Sequence, residues 1–171
     1  MNNQQTIHPG DRGNMPQVLL HAIPLPGDPA SNAGTVSGGI LVVEDDMDIR
    51  IILHHRLTNA GYPVAAFSNG YDALEWLNHN TPVLAILDVL LPGMDGHQIC
   101  QSLRAHGREE IRTLPIIMVT ALQEDATKHR GYREGATMFL RKPVFSNRLL
   151  RHIETLLQQS ECYPRDLPGE Q

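Results

Sequence analysis

A doubly wound α/β domain, with a parallel sheet covered by helices on both faces, is the fold this sequence predicts. Three observations lead there. Short, continuously apolar runs recur between Ile40 and Leu140; amphipathic stretches with helical spacing alternate with them; and 171 residues suit one ordinary domain plus flanks. Parallel strands need crossover connections, and right-handed helical crossovers cover both faces of the sheet.

Residues 1–38 carry Pro9, Pro16, Pro24, Pro26 and Pro29 among Gly, Asn, Gln and Ser, with no sustained period of 2 or 3.6, and read as a disordered N-terminal arm. Within it VLLHAIPLP (Val18 to Pro26) is apolar enough to bind a partner, although a sticky piece of linker is the plainer reading. SNAGTVSGG (Ser31 to Gly39) looks like a flexible joint. A domain over 39–158 follows, and the remaining 159–171 lack periodicity and read as a flexible tail.

ILVV (40–43) is a buried-strand signal that stops at Glu44, Asp45 and Asp46. Ile49, Ile52, Leu53, Leu57 and Ala60 then form a helical stripe, with Gly61 where a C-terminal cap belongs. PVAAF (63–67) is the second strand, and Asn69 opens a helix carrying Ala73, Leu74 and Leu77. VLAIL (83–87) is the third strand, and Ile99 and Leu103 mark the third helix. PIIMV (115–119) is the fourth strand, followed by a less apolar helix from about Glu124 to Arg133. TMFL (137–140) is the fifth, and Leu149, Leu150, Ile153, Leu156 and Leu157 give a strongly amphipathic last helix.

Composition excludes several classes. The net charge is −5, with no basic excess on any one stretch, which argues against a nucleic-acid surface. Cys100 and Cys162 stand far apart with no zinc-ligand spacing, so a reducing compartment fits best. No apolar run reaches the roughly 18 residues a membrane span needs, and no secretory signal opens the chain, so the cytoplasm is the expected location. The nine histidines form no i, i+4 pair and read as solvated surface rather than as metal ligands.

In an open α/β sheet, ligands bind beyond the carboxyl ends of the strands, where strand order reverses. The residues at those ends are Glu44, Asp45 and Asp46, then Asp88, then Thr120 and Ala121, then Lys142 and Pro143. Two carboxylates about 5 Å apart repel by roughly 3 kcal/mol at an effective dielectric near 20, so several ionised acids in one pocket call for a cation. Hard oxygen ligands select magnesium or a similar divalent ion. A pocket that adds a further carboxylate, a lysine and a hydroxyl can hold a phosphoryl group, and the carboxylate can be the nucleophile that accepts it. Taken singly, acids at a helix start are usually caps, a terminal Thr is commonly structural, and LPGMDG is an ordinary loop. Their joint placement at successive strand ends carries the case.

LVVEDD, LDVLLPGMDG, MVTAL and GATMFLRKP stand in the order and spacing of the receiver domain of two-component response regulators, which residues 39–158 resemble. The resemblance implies a flavodoxin-like sheet of order 2-1-3-4-5. It implies a phosphoacceptor, Asp88, loaded by a sensor histidine kinase, a histidine phosphotransfer protein or a small phosphodonor. Asp45 and Asp46 would hold Mg2+ (or Mn2+) with Asp88 and the Leu90 backbone carbonyl. Thr120 would bond the phosphate, Ala121 would leave access open, Lys142 would pair with its charge, and Phe139 would be the switch aromatic. The bond before Pro143 would be cis. Leu90 and Leu122 occupy positions that tune phosphate lifetime in the family, and as apolar residues they imply slow self-dephosphorylation. The chain ends soon after its last helix, so the expected output is a protein partner, a relay or phosphate-sink role, or a phosphorylation-dependent dimer. It is not expected to turn over an outside substrate. A magnesium-dependent phosphatase with an aspartate nucleophile is a rival, but such enzymes place a general-acid Asp where Leu90 stands. A cofactor-binding module of the same fold would need a Gly-rich loop after strand one, which is missing.

Overall fold

Ile40–Val43 contains no polar side chain and is buried throughout, as a central parallel strand must be when helices cover both its faces. The computed structural model describes residues 38–121, 125–144 and 147–160. Of the arm expected at 1–38, residues 1–37 lie outside the described residues, and so does the tail expected at 159–171 beyond Ser160. In chain order the elements are β1 (Ile40–Val43), α1 (Met47–Asn59), β2 (Val64–Phe67), α2 (Gly70–Leu77), β3 (Leu84–Asp88), α3 (Gly96–Arg104), α4 (Glu109–Arg112), β4 (Ile116–Thr120), α5 (Asp125–Arg133), β5 (Met138–Arg141) and α6 (Asn147–Gln159). The five strands form one sheet in the order β2-β1-β3-β4-β5, and every pairing is parallel. This is the doubly wound, flavodoxin-like arrangement expected.

Strand alternation divides the core in two. Leu41 and Val43 of β1, Ala85 and Leu87 of β3, and Ile116 and Met118 of β4 join one cluster, which α2 and α3 close with Leu77, Ile99 and Leu103. Ile40, Val42, Leu84, Ile86, Ile117 and Val119 join the other, closed by Leu53 and Leu57 of α1 and by Leu149, Ile153, Leu156 and Leu157 of α6. Each such Leu or Ile, buried completely, contributes about 1.5–3 kcal/mol of transfer free energy. The two clusters hold the three central strands rigid, which keeps the strand ends in place.

The differences from expectation have local causes. In α1 only Leu53 and Leu57 are buried, while Ile51 and Ile52 are each 37 % exposed, so the apolar stripe is narrower than its spacing suggests. Gly61 follows the end of α1 with φ of 91°, the left-handed conformation that ends helices and that glycine adopts without strain. Helix α4 is not foreshadowed, because four residues with a single buried anchor, Ile111, show no period. Strands β3 and β4 run one residue past their last apolar residue. Asp88 and Thr120 are therefore strand residues, paired opposite Val119 and Arg141.

Candidate functional site

Parallel register decides which side chains meet. Val43 lies opposite Leu87, so Glu44 leaves β1 beside Asp88, the last residue of β3. Thr120, opposite Arg141, sets the end of β4 beside β5, and its carbonyl accepts the Lys142 N–H at 2.9 Å. Lys142 then reaches back across the sheet. Its Nζ donates to Glu44 Oε1 and to Asp88 Oδ2, each at 2.7 Å. The Leu90 N–H donates to Asp88 Oδ1 at 3.1 Å, so both oxygens of Asp88 are engaged. Asp88 and Thr120 are buried, Ala121 is exposed, and the Leu90 side chain stands 53 % exposed at the rim.

Carboxylate oxygens of Glu44, Asp45 and Asp88 all lie within 4.8 Å of one another. At that spacing each ionised pair repels by about 3 kcal/mol at an effective dielectric near 20. Glu44 responds by holding its proton: burial, with the Asp88 charge adding to it, pushes its pKa up to about 7 against the pull of Lys142. Burial alone would lower the Lys142 pKa, but its bonds to Asp88 and Glu44 outweigh that and raise it. Three carboxylates this close, only two of them bonded to the Lys142 ammonium, are hard oxygen donors that fit a divalent ion of the magnesium class.

Asp46 is not part of this acidic group among the described residues. Its Oδ1 accepts the N–H groups of Asp48 (2.9 Å) and Ile49 (3.1 Å), making it the N-cap of α1. The structure thus assembles Glu44 and Asp45, rather than Asp45 and Asp46, beside Asp88. The signal was present in strand periodicity: Glu44 continues the alternation of Ile40 and Val42, just as Asp88 continues that of Leu84 and Ile86. Residue 46 already belongs to the helix start.

The loop after Asp88 is tied down at α3. Asp95 and Gln98 form a reciprocal capping box, and the Gly96 N–H donates to the Val89 carbonyl at 3.1 Å. A Cβ on Gly96 would lie 2.2 Å from the Asp88 carbonyl oxygen, so only glycine permits this approach. The Lys142–Pro143 bond is cis, as the resemblance implied. Phe139 is partly buried against the α2–α3 side of the core, its ring 5.0 Å from that of Tyr132 and packed over Gly131 of α5. Leu122 lies outside the described residues.

His97 corrects the expectation that the histidines are solvated. It is 3 % exposed, and its Nδ1 lies 2.6 Å from Glu134 Oε2. Glu134 also accepts from Gln101 Nε2 at 2.9 Å and from Arg130 Nε at 2.8 Å, so the cluster joins α3 to the end of α5. Burial would raise the Glu134 pKa, but the bonds from Arg130 and His97 prevail and lower it. A lowered acid stabilises the fold above its ordinary range near 4.5 and loses that contribution as pH falls through the folded value. Glu134→Gln is therefore expected to cost about 1–2 kcal/mol at neutral pH. Urea melts should show the gap from wild type closing as pH drops below the ordinary carboxylate range.

The model of the response regulator receiver domain matches residues 40–154. A curated relative, the transcriptional regulatory protein GltR of Pseudomonas aeruginosa, is 39% identical over 122 residues, which cover 71% of this chain and 50% of that protein. PhoP of Bacillus subtilis, the alkaline phosphatase synthesis transcriptional regulatory protein, is 34% identical over 71% of this chain and 49% of its own length. The chain spans about half the length of the curated relatives it matches. Among solved structures, a response regulator from Chloroflexus aurantiacus superposes with a TM-score of 0.66 at 35% identity, covering 72% of this chain and 99% of that one. The chemotaxis response regulator CheY4 of Vibrio cholerae does so with a TM-score of 0.64 at 29% identity, covering 71% and 99%.

Proposed function

Because the chain belongs to the response regulator receiver domains of two-component systems, we propose that Asp88 is its phosphoacceptor and that it signals through protein contacts once phosphorylated. The observation that carries this reading is the position of Lys142, whose ammonium bridges Glu44 and Asp88 at 2.7 Å each across three strand ends. Receiver domains bind magnesium at an acidic pocket, and the group of Glu44, Asp45 and Asp88 supports the same use in this chain. Those three side chains and the Leu90 carbonyl would hold the ion, while Asp46 keeps the helix start. Bound there, magnesium or manganese would supply the charge neutralisation that lets an anionic phosphoryl group approach three acids.

An Asp88 carboxylate oxygen attacks phosphorus in line, and the donor's leaving group departs with the bonding electron pair. Leu90 N–H and Lys142 orient the nucleophile before attack, and Lys142 pairs with the added charge afterwards. Thr120 bonds a phosphate oxygen, Ala121 leaves the approach open, and Phe139 follows Thr120 as the switch aromatic. The donor is a sensor histidine kinase or a histidine phosphotransfer protein, the partners with which receiver domains interact. Among the described residues no helix is long and apolar enough to cross a membrane, which accords with a cytoplasmic site of action. The apolar Leu90 at the rim supports a long-lived phosphoryl group.

Incubation with acetyl phosphate and magnesium should add the mass of one phosphoryl group to the intact protein, and chelation by EDTA should suppress it. No mass gain with magnesium, or equal gain in EDTA, contradicts the proposal.

A further inference from the structure

Arg50 breaks a local rule. It is the fourth residue of α1, close to the positive end of the helix dipole, where a cation is disfavoured and an acid such as Asp48 is the ordinary choice. Its guanidinium does not turn out to solvent. Nη1 donates to the Glu44 carbonyl at 2.6 Å and to the Asp45 carbonyl at 3.0 Å. These are consecutive peptide units, and they belong to two of the three residues whose carboxylates gather at the site. The short link between β1 and α1 is thus held from three directions. The Glu44 N–H donates to the Phe67 carbonyl at 3.0 Å, Asp46 caps the helix, and Arg50 grips the carbonyls between.

We propose that Arg50 is a positioning residue of the metal site, acting through the backbone of Glu44 and Asp45 to hold their carboxylates in the arrangement that takes up a divalent cation. The role rests on the reading of that acidic group as a metal site. Two effects oppose one another. The positive charge of Arg50 repels a cation, so if charge dominated, removing it would tighten binding. The two hydrogen bonds fix a loop that otherwise samples other conformations, so if positioning dominates, removing them weakens binding. The choice of a cation at an unfavourable helix position, aimed at these two carbonyls, favours positioning. A lysine would be a single compact charge without the planar fork, and it could satisfy the pair only in part.

Magnesium chloride titrations by calorimetry, with thermal melts in EDTA, test this on wild type, Arg50→Ala and Arg50→Lys. Arg50→Ala is expected to raise the magnesium Kd by about tenfold, the lower end of the loss seen for outer-shell partners of metal ligands. Arg50→Lys should fall between it and wild type. In EDTA the melting temperature of Arg50→Ala should fall modestly, since two hydrogen bonds to the link are lost and removing a cation from the helix start offsets only part of that; a merely structural role would show the same fall with wild-type magnesium affinity. Should Arg50→Ala fail to fold, Arg50→Lys decides: weaker binding supports the role and wild-type affinity overturns it. Wild-type magnesium binding with unchanged or tighter binding by Arg50→Ala overturns the role of Arg50 alone. Absence of magnesium binding by wild type overturns both this role and the metal-site reading.

Discussion

Replacing Asp88 by Asn is expected to abolish phosphoryl uptake. The substitution keeps the shape of the side chain and leaves an oxygen to accept the Leu90 N–H that Asp88 Oδ1 accepts at 3.1 Å. The lost properties are the charge and the second acceptor, Oδ2, to which Lys142 Nζ donates at 2.7 Å. A neutral amide is not a nucleophile toward phosphorus, and removing the nucleophile of a covalent mechanism costs about 10⁴-fold or more in rate. The intact mass after treatment with acetyl phosphate and magnesium should stay at the unmodified value, while circular dichroism reports a folded chain. A mass gain equal to that of wild type would mean that another group takes the phosphoryl, and the proposed role of Asp88 would fall.

The second large effect is expected at Lys142. Its Nζ is the cation bonded to both Glu44 and Asp88, whose side chains are only 2 % and 5 % exposed. Lys142→Met keeps the stem and removes the charge. Taking one partner from a buried ionic group costs 3–5 kcal/mol, and the lower figure, about 3 kcal/mol, applies at alkaline pH in EDTA because Lys142 itself is partly exposed. The loss depends on pH with a definite sign. Glu44 has its pKa raised to about 7, so the stability it contributes is complete below its ordinary 4.5 and is lost as pH rises through about 7. Without Lys142 that penalty deepens, because the ionised form has lost its hydrogen-bond donor. Urea unfolding at pH 6 and pH 8.5 should therefore show a smaller deficit at the lower pH, and magnesium should restore part of the deficit at the higher one. Equal stability of Lys142→Met and wild type at pH 8.5 in EDTA would contradict the account.

The placement of these groups was readable in the sequence to different degrees, for physical reasons. Apolar runs of four or five residues, containing β-branched residues and too short for a helix, suit central strands buried on both faces, so β1, β3 and β4 stood out. The polar residue at the end of such a run is harder to place, because hydropathy ends a strand at its last apolar residue while the ladder ends at its last paired peptide. Asp88 and Thr120 are paired and so extend their strands by one residue. The same ambiguity explains the acids after β1. Three consecutive carboxylates look alike in hydropathy, and only the period of two running on from Ile40 and Val42 separates Glu44 from the cap; the geometry makes the division plain, with Asp46 turned to the N–H groups of Asp48 and Ile49 and Glu44 turned to Lys142.

Contacts between distant helices left less trace. His97 and Glu134 are 37 positions apart, and nothing in the local pattern around either announces a buried pair. Arg104 likewise gave no signal, yet its Nε and Nη2 both donate to the Gly135 carbonyl, tying α3 to the turn between α5 and β5. Such side chains declare their partners only once helices pack. Arg50 differs from them, since a cation where a helix start favours an acid is a mark the local sequence does carry.

The measurement that bears most directly on the central claim is chemical mapping of the phosphoryl group. Protein phosphorylated with acetyl phosphate and magnesium would be reduced with borohydride, which converts an aspartyl phosphate into homoserine, then digested and sequenced by mass spectrometry. Homoserine at position 88, with Asp45 and Asp46 recovered as aspartate, is the predicted result. Homoserine at either of those two positions, or a phosphoryl group on a histidine with Asp88 unchanged, would contradict it.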